Sequence, residues 1–307
     1  MGMGVRLPVL ALALMIAGAF LLPLAPASAA TPATQNPVTA GPPIARPTTA
    51  SCSATILQNA SFKSGYTPAF GKFMPPAGCP SPWAKVVLDW TGSVAGNQFD
   101  RIGAIWLGRT EVLRTSTPEP PGQGITWHVA KDVTEYAAML SQPQNVTAII
   151  SNSVNSVDTG VIYVTAMLTF YEASSMFPAT REPNAVVPVS STGAPGFAAP
   201  WFELNSGGTG QASVTLPKNL VSAYLEVYAT PHSCDEAWYG NQTTVFAKEN
   251  GLCGGTAFRE VQVIIDGQLV GTVWPFPVIY TGAWNPFLWQ TIPGPANVTP
   301  ACRGGIP

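Results

Sequence analysis

Residues 160–172 read GVIYVTAMLTFYE. In an extended chain Ile162, Val164, Ala166, Leu168 and Phe170 share one face, and Tyr163, Thr165, Thr169 and Tyr171 share the other. Apolar side chains recurring at every second position mark a strand with one face on a core. Moving outward, short runs of the same kind recur: AKVVLDWTG (84–92), TEVLRTS (110–116), GITWHV (124–129), NVTAIIS (145–151) and VSAYLEVYAT (221–230). FREVQVIIDGQLVGTVWPF (258–276) reads as a hairpin with Asp266-Gly267 as its tight turn. Only KDVTEYAAMLS (131–141) predicts a helix, about two turns long with Asp132 at its start.

Composition agrees. The chain has 307 residues, with 29 Gly and 31 Pro, and it is 46% hydrophobic. Many short strands joined by tight turns need such a mixture. Charged residues are 10% and the net charge is −2, against roughly 25% charged in an average globular protein. No basic run is present, which argues against a nucleic-acid partner.

The sequence predicts an all-β chain of two antiparallel jelly-roll-type β-sandwiches, the second incomplete. Residues 1–29 read as a secretory signal peptide: one positive charge, an apolar run, then ASAA with cleavage after Ala29. An uncleaved membrane anchor is the competing reading. Residues 30–50 read as a disordered Pro/Thr/Ala leader, 51–175 as the first sandwich, 176–200 as a linker and 201–307 as the second. The expected destination is extracellular, with no membrane contact once the signal is removed. Export makes disulfides the expected fate of the cysteines. Cys52 with Cys79 and Cys234 with Cys253 is the simplest pairing, leaving Cys302 alone. Zinc lacks support, because no C-x-x-C pair or nearby His cluster exists.

Two stretches hold candidate chemistry. QFDRIGAIWLG (98–108) begins with an acid and a base and then turns apolar. As a regular strand it would put Asp100 on the face of Ile102, Ala104 and Trp106, and Arg101 on the opposite one. A carboxylate beside a Trp on an apolar face is partly desolvated, which suits general acid/base work. A solvated strand end remains the alternative. PHSCDEAWYG (231–240) gathers His232, Asp235, Glu236, Trp238 and Tyr239 beside Cys234. A disulfide-clamped loop with aromatic rings suits sugar recognition, although Trp238 folding back on the core would explain the ring equally well. His128 and Arg259 are weaker candidates, in strands where pairing across the sheet accounts for them. No G-x-S-x-G, H-E-x-x-H or phosphate-binding Gly loop is present.

The stretches VVLDWTGSVAGNQFDRIGAIWLGRTEVLRTSTPEPPGQGITWHVAKDVTEYAAML (86–140), CDEAWYG (234–240), AFREVQVIIDGQLVG (257–271) and VWPFPVIYTGAWNPFLW (273–289) closely resemble the plant and fungal type-A peptide N-glycosidases. The likeness implies hydrolysis of the amide that joins an N-glycan to asparagine, an N-glycopeptide or N-glycoprotein as substrate, and no metal or cofactor. A more distant likeness, to the bacterial two-jelly-roll peptide N-glycosidases, rests on FDR (99–101), similar to their Trp-Asp-Arg. It implies Asp100 as the catalytic acid, with Glu236 or Asp235 supplying a second carboxylate. It also implies Arg259 beside the sugar, and Asn152 and Gly255 where those enzymes carry supporting glutamates. Arg101, Trp106, His232, Trp238 and Tyr239 complete the expected substrate-binding set. Family members continue past this C-terminus, so the chain reads as a fragment or a shortened relative. An endo-glycosidase acting on the chitobiose core and a non-catalytic carbohydrate-binding module are the alternative functions.

Overall fold

The computed structural model describes residues 43–275 except 120, 182, 191–200, 205–206 and 237, together with the backbone of 38–39, 295–296 and 302–306. The expected signal peptide lies outside the described residues, and so does the side chain of Cys302.

Eight strands of five residues or more build the first half: β1 (Ser51–Phe62), β2 (Ala69–Phe73), β3 (Trp83–Asn97), β4 (Ile102–Leu107), β5 (Thr110–Ser116), β6 (Pro121–Asp132), β7 (Gln144–Ile150) and β8 (Val161–Glu172). They form two antiparallel sheets, in the orders β1-β8-β3-β6 and β2-β7-β4-β5. Strands one and eight, two and seven, three and six, and four and five are therefore neighbours. That is a long hairpin rolled onto itself, the strand order of a jelly roll. The chain is all-β, as the alternation of β8 demands. Ile162, Val164, Ala166, Leu168 and Phe170 are all buried between the sheets. Phe170 stacks on Phe73, with centroids 5.8 Å apart, and meets Trp83 at 4.7 Å, tying the first sheet to the second. Burying a side chain of this size contributes roughly 1.5–3 kcal/mol.

The expected helix is shorter than its sequence suggests. Lys131 and Asp132 finish β6; a 3₁₀ turn (Thr134–Tyr136) then leads into α1 (Ala137–Leu140). Asp132 still serves the helix start, because its Oδ1 accepts hydrogen bonds from the Thr134 N–H at 3.1 Å and the Thr134 hydroxyl at 2.5 Å.

β4 and β5 are buried on both faces. A strand in a two-layer sandwich needs an outer cover for that, and Trp201 with residues 226–230 contributes to it. Trp201 stacks on Trp106 at 5.7 Å and donates from Nε1 to Glu111 at 3.0 Å. Arg114 grips Glu111 at 2.6 and 2.8 Å, lies 4.4 Å over the Trp201 ring and donates to the Thr230 hydroxyl at 2.8 Å. Strand β9 (Ala223–Val227) adds Glu226, which accepts from Lys131 at 2.7 Å and from the Tyr136 hydroxyl. Burial, and then the negative charge of Glu226, hold the neighbouring Tyr228 hydroxyl well above the ordinary tyrosine range.

Beyond β9 come α2 (Thr244–Asn250) and the hairpin β10 (Val261–Ile265)–β11 (Gln268–Val273). Its turn is Asp266-Gly267, both with positive φ (49° and 80°), as a two-residue hairpin loop requires. The expectation of a second sandwich depends in part on residues 276–294, outside the described ones. Within the expected leader, Arg46 reaches across the first sheet to Asp89 at 2.5 and 3.1 Å and to the Tyr171 hydroxyl at 3.1 Å.

Candidate active site

Asp100 does not stand on a strand. β4 begins at Ile102, so the expected sharing of a face with Ala104 and Trp106 does not arise. Asp100 sits in the loop before β4, and that loop is built around Gln98. The buried Gln98 Oε1 accepts from Arg101 Nε and Nη2, at 3.1 and 2.5 Å, and from the Phe99 N–H at 3.1 Å. Its Nε2 donates to the Ser153 and Gly160 carbonyls, each at 3.2 Å. Arg101 is then paired through its backbone with Thr117: Thr117 N–H donates to Arg101 O at 2.8 Å, and Arg101 N–H to Thr117 Oγ1 at 2.9 Å. The pairing sets Asp100, one residue before it, beside Glu119, two residues after it.

The loop 230–236 forms the facing wall. Arg114 holds one end at Thr230. The other end is tied by the Cys234–Cys253 disulfide and by Arg259, whose Nε and Nη2 donate to Asp235 Oδ1 at 3.0 and 2.7 Å. Both expected disulfides are present, Cys52–Cys79 being the other. Together these segments border an open-mouthed cavity of about 450 Å³ lined by Tyr66, Phe99, Asp100, Arg101, Glu119 and His232, with Ile102, Ser116, Ser151, Thr230, Pro231 and Glu236 completing it. Small-molecule sites are commonly about 300–1,000 Å³.

Of the expected residues, Asp100, Glu236, Arg101 and His232 meet in this cavity. The others stand elsewhere. Trp106 is fully buried beneath Trp201. Asn152 is buried too, and its Nδ2 donates to the Phe62 and Gly160 carbonyls at 2.9 and 3.0 Å. Trp238 is buried and meets Tyr239 edge-on at 5.8 Å. Arg259 is occupied by Asp235 and by the carbonyls of Gly254, Gly255, Thr256 and Phe258. Asp235 and Arg259 thus brace the loop that carries Glu236.

Among the lining residues that the sequence does not point to, Glu119, Tyr66 and Phe99 carry the most chemistry. Phe99 is 58% exposed at the cavity rim, with the Arg101 guanidinium 5.7 Å from its ring centroid. Tyr66 is 41% exposed. Both rings are free to stack on an apolar ligand face. Glu119 stands in TPEPP (117–121), a stretch whose prolines signal only a turn.

The cavity is acidic. Burial pushes the Glu119 carboxyl above its ordinary pKa of 4.5, and the charge of Glu236 adds to the rise. A hydrogen bond shared with the Asp100 carboxyl, the Asp100 backbone N–H and the charge of Arg101 act against it without cancelling it. The His232 imidazole is lowered below 6.5, chiefly by burial and also by the charge of Arg114, with Glu236 and Glu203 opposing. It is therefore neutral at pH 7. Three carboxyls, a guanidinium and a neutral imidazole around one small cavity can perform acid/base chemistry on a polar bond.

The family described as peptide N-acetyl-beta-D-glucosaminyl asparaginase amidase A matches residues 37–297. The chain belongs to this amidase A family. It is 37% identical over 268 residues to peptide-N4-(N-acetyl-beta-glucosaminyl)asparagine amidase A of Prunus dulcis, covering 81% of this chain and 47% of that protein. The chain thus spans about half the length of that relative. The solved structure of PNGase F, a glycosylasparaginase from Flavobacterium meningosepticum, aligns over 84% of each chain with a TM-score of 0.49 and 13% identity.

Proposed function

We propose that this amidase A family chain hydrolyses the amide between the innermost GlcNAc of an N-glycan and asparagine, after export through a cleaved signal peptide. The observation that carries the reading is the meeting of Asp100 with Glu236, 136 positions apart in the chain, in one cavity of about 450 Å³. Asp100 takes a proton from water as its oxygen attacks the asparagine side-chain carbonyl. The tetrahedral adduct collapses with cleavage of the C–N bond. Aspartate stays in the peptide, and a glycosylamine leaves that then loses ammonia to water. Arg101 lines the same cavity and offers a cation for the developing oxyanion. Phe99 and Tyr66 offer rings for the apolar faces of the sugar, and Glu236 accepts from its polar groups.

Three carboxyls in one cavity also suit glycoside hydrolysis, which needs two of them roughly 5–10 Å apart. One digestion separates the readings. In H₂¹⁸O, amide hydrolysis leaves a peptide with Asp in place of Asn, carrying one ¹⁸O in its new carboxyl. An endo-glycosidase leaves GlcNAc on the peptide and no label. An intact glycopeptide that still binds the folded protein marks a binding module. Asp100→Asn is expected to abolish turnover while keeping the melting curve and glycopeptide binding; wild-type turnover in that variant would remove Asp100 from the reaction.

A further inference from the structure

We propose that Asp100 and Glu119 form a carboxyl dyad sharing one proton, and that Glu119 is a second catalytic group; this rests on the amidase reading above. Two observations place the dyad. Arg101 and Thr117 are joined by a backbone hydrogen bond of 2.8 Å and by the Arg101 N–H donating to Thr117 Oγ1 at 2.9 Å, which fixes the two acid-bearing segments side by side. Both side chains line the same cavity, and they are hydrogen-bonded to each other, the Glu119 carboxyl also accepting the Asp100 backbone N–H.

Two ionised carboxylates cannot hydrogen-bond to each other, since each only accepts. The contact therefore holds one proton between them, and the pair titrates as a unit. The groups facing it are Arg101 from the same loop, Glu236 and His232 from the opposite wall, and Tyr66 at the rim. Glu236 and burial favour keeping the proton, and Arg101 favours losing it. The pair thus keeps a proton at a pH where an exposed glutamate has none.

The chemistry follows from that single proton. The ionised member removes a proton from water as the water oxygen bonds to the amide carbon. The protonated member gives its proton to the carbonyl oxygen, so no full oxyanion forms. On collapse the carbonyl reforms and returns its proton to the pair, the C–N bond breaks, and the nitrogen takes the proton that came from water. The products are a carboxylic acid and an amine, and the pair ends with the one proton it began with.

Glu119→Gln keeps the shape and a hydrogen bond to Asp100 but removes the shared proton. It is expected to lower kcat by about 100-fold, within the usual range for general acid/base groups. The pH profile is expected to change from two limbs to one, because the limb reporting loss of the shared proton disappears. A merely structural Glu119 would leave that limb in place. An independent measurement needs no substrate: carboxyl ¹³C resonances of the full chain labelled at Asp and Glu, followed through pH. Glu119 is expected to respond in two linked steps in the wild type and in one step in Asp100→Asn. The dyad is overturned if Glu119 follows one curve that Asp100→Asn leaves unmoved, or if Glu119→Gln keeps the wild-type kcat and two-limbed profile. Absence of ¹⁸O transfer by the wild type would count against the amidase reading alone, because the titration tests the shared proton in either case.

Discussion

Asp89 shows how one side chain fixes a long segment. It accepts from Arg46 at 2.5 and 3.1 Å and from His128 Nε2 at 2.9 Å, on the outer face of β3. Burial pushes its carboxyl pKa up, but the hydrogen bonds from His128 and Arg46, with their charges, outweigh this and leave it below 3.8. A carboxylate with a lowered folded pKa adds stability above its unfolded pKa and loses it as pH falls through the folded value. Asp89→Asn is therefore expected to cost about 1 kcal/mol at pH 7, with the gap to wild type closing below pH 4; denaturant midpoints at several pH values measure it. An equal gap at pH 3 would show that charge is not the cause. At this scale the sequence is only partly legible. Asp100 was visible because an acid heading an apolar run is unusual in a chain with 10% charge. Glu119 was hidden, since its partner lies across a β-hairpin and no local pattern records a pairing set by Arg101 and Thr117. The resemblance to the bacterial enzymes points to Asn152 and Arg259 as site residues, yet the backbone carbonyls around them take up their donors.

Strands were the most legible elements, because a period of two survives whatever the strand pairs with. Their partners were not, since pairing β1 with β8 joins segments about a hundred residues apart and leaves no trace in either alone. Burial on both faces of β4 and β5 was likewise invisible: Trp201, Tyr228 and Thr230, far along the chain, cover them. Gly92 in β3 carries a constraint of this kind. It pairs with Trp127 across the sheet, and a Cβ built on it would lie 2.2 Å from Trp127 Cζ2 and 2.3 Å from Cε2. The indole is 3% exposed and has no room to retreat. Gly92→Ala is expected to destabilise by about 2 kcal/mol, as overpacked cores do, lowering both the denaturant midpoint and Tm. Adding Trp127→Val, which vacates the space, is expected to make the alanine itself nearly neutral. A full penalty for Gly92→Ala in that background would place the cost in the backbone and not in the ring.

The whole molecule closes its cavity with two distant parts of the chain, so the grip between them bears on both stability and turnover. Arg114 is the centre of that grip. Its guanidinium satisfies the buried Glu111, covers the Trp201 ring and holds Thr230 at the head of the loop that carries His232 and Glu236. Arg114→Met leaves the Glu111 charge buried with Trp201 Nε1 as its remaining named donor, and breaking such a pair from one side costs about 3–5 kcal/mol. The second change Glu111→Gln removes the stranded charge, so most of the lost stability is expected to return in the double variant. Turnover is not expected to return with it, because neither variant restores the bond to Thr230. The loop then samples positions in which Glu236 no longer faces Asp100, and a small misplacement of a reacting group costs rate steeply. Thermal melts and glycopeptide kinetics on the wild type, Arg114→Met and the double variant separate these effects. If stability and kcat recover together, Arg114 acts only by neutralising Glu111. If stability recovers alone, its hold on Thr230 is what shapes the site.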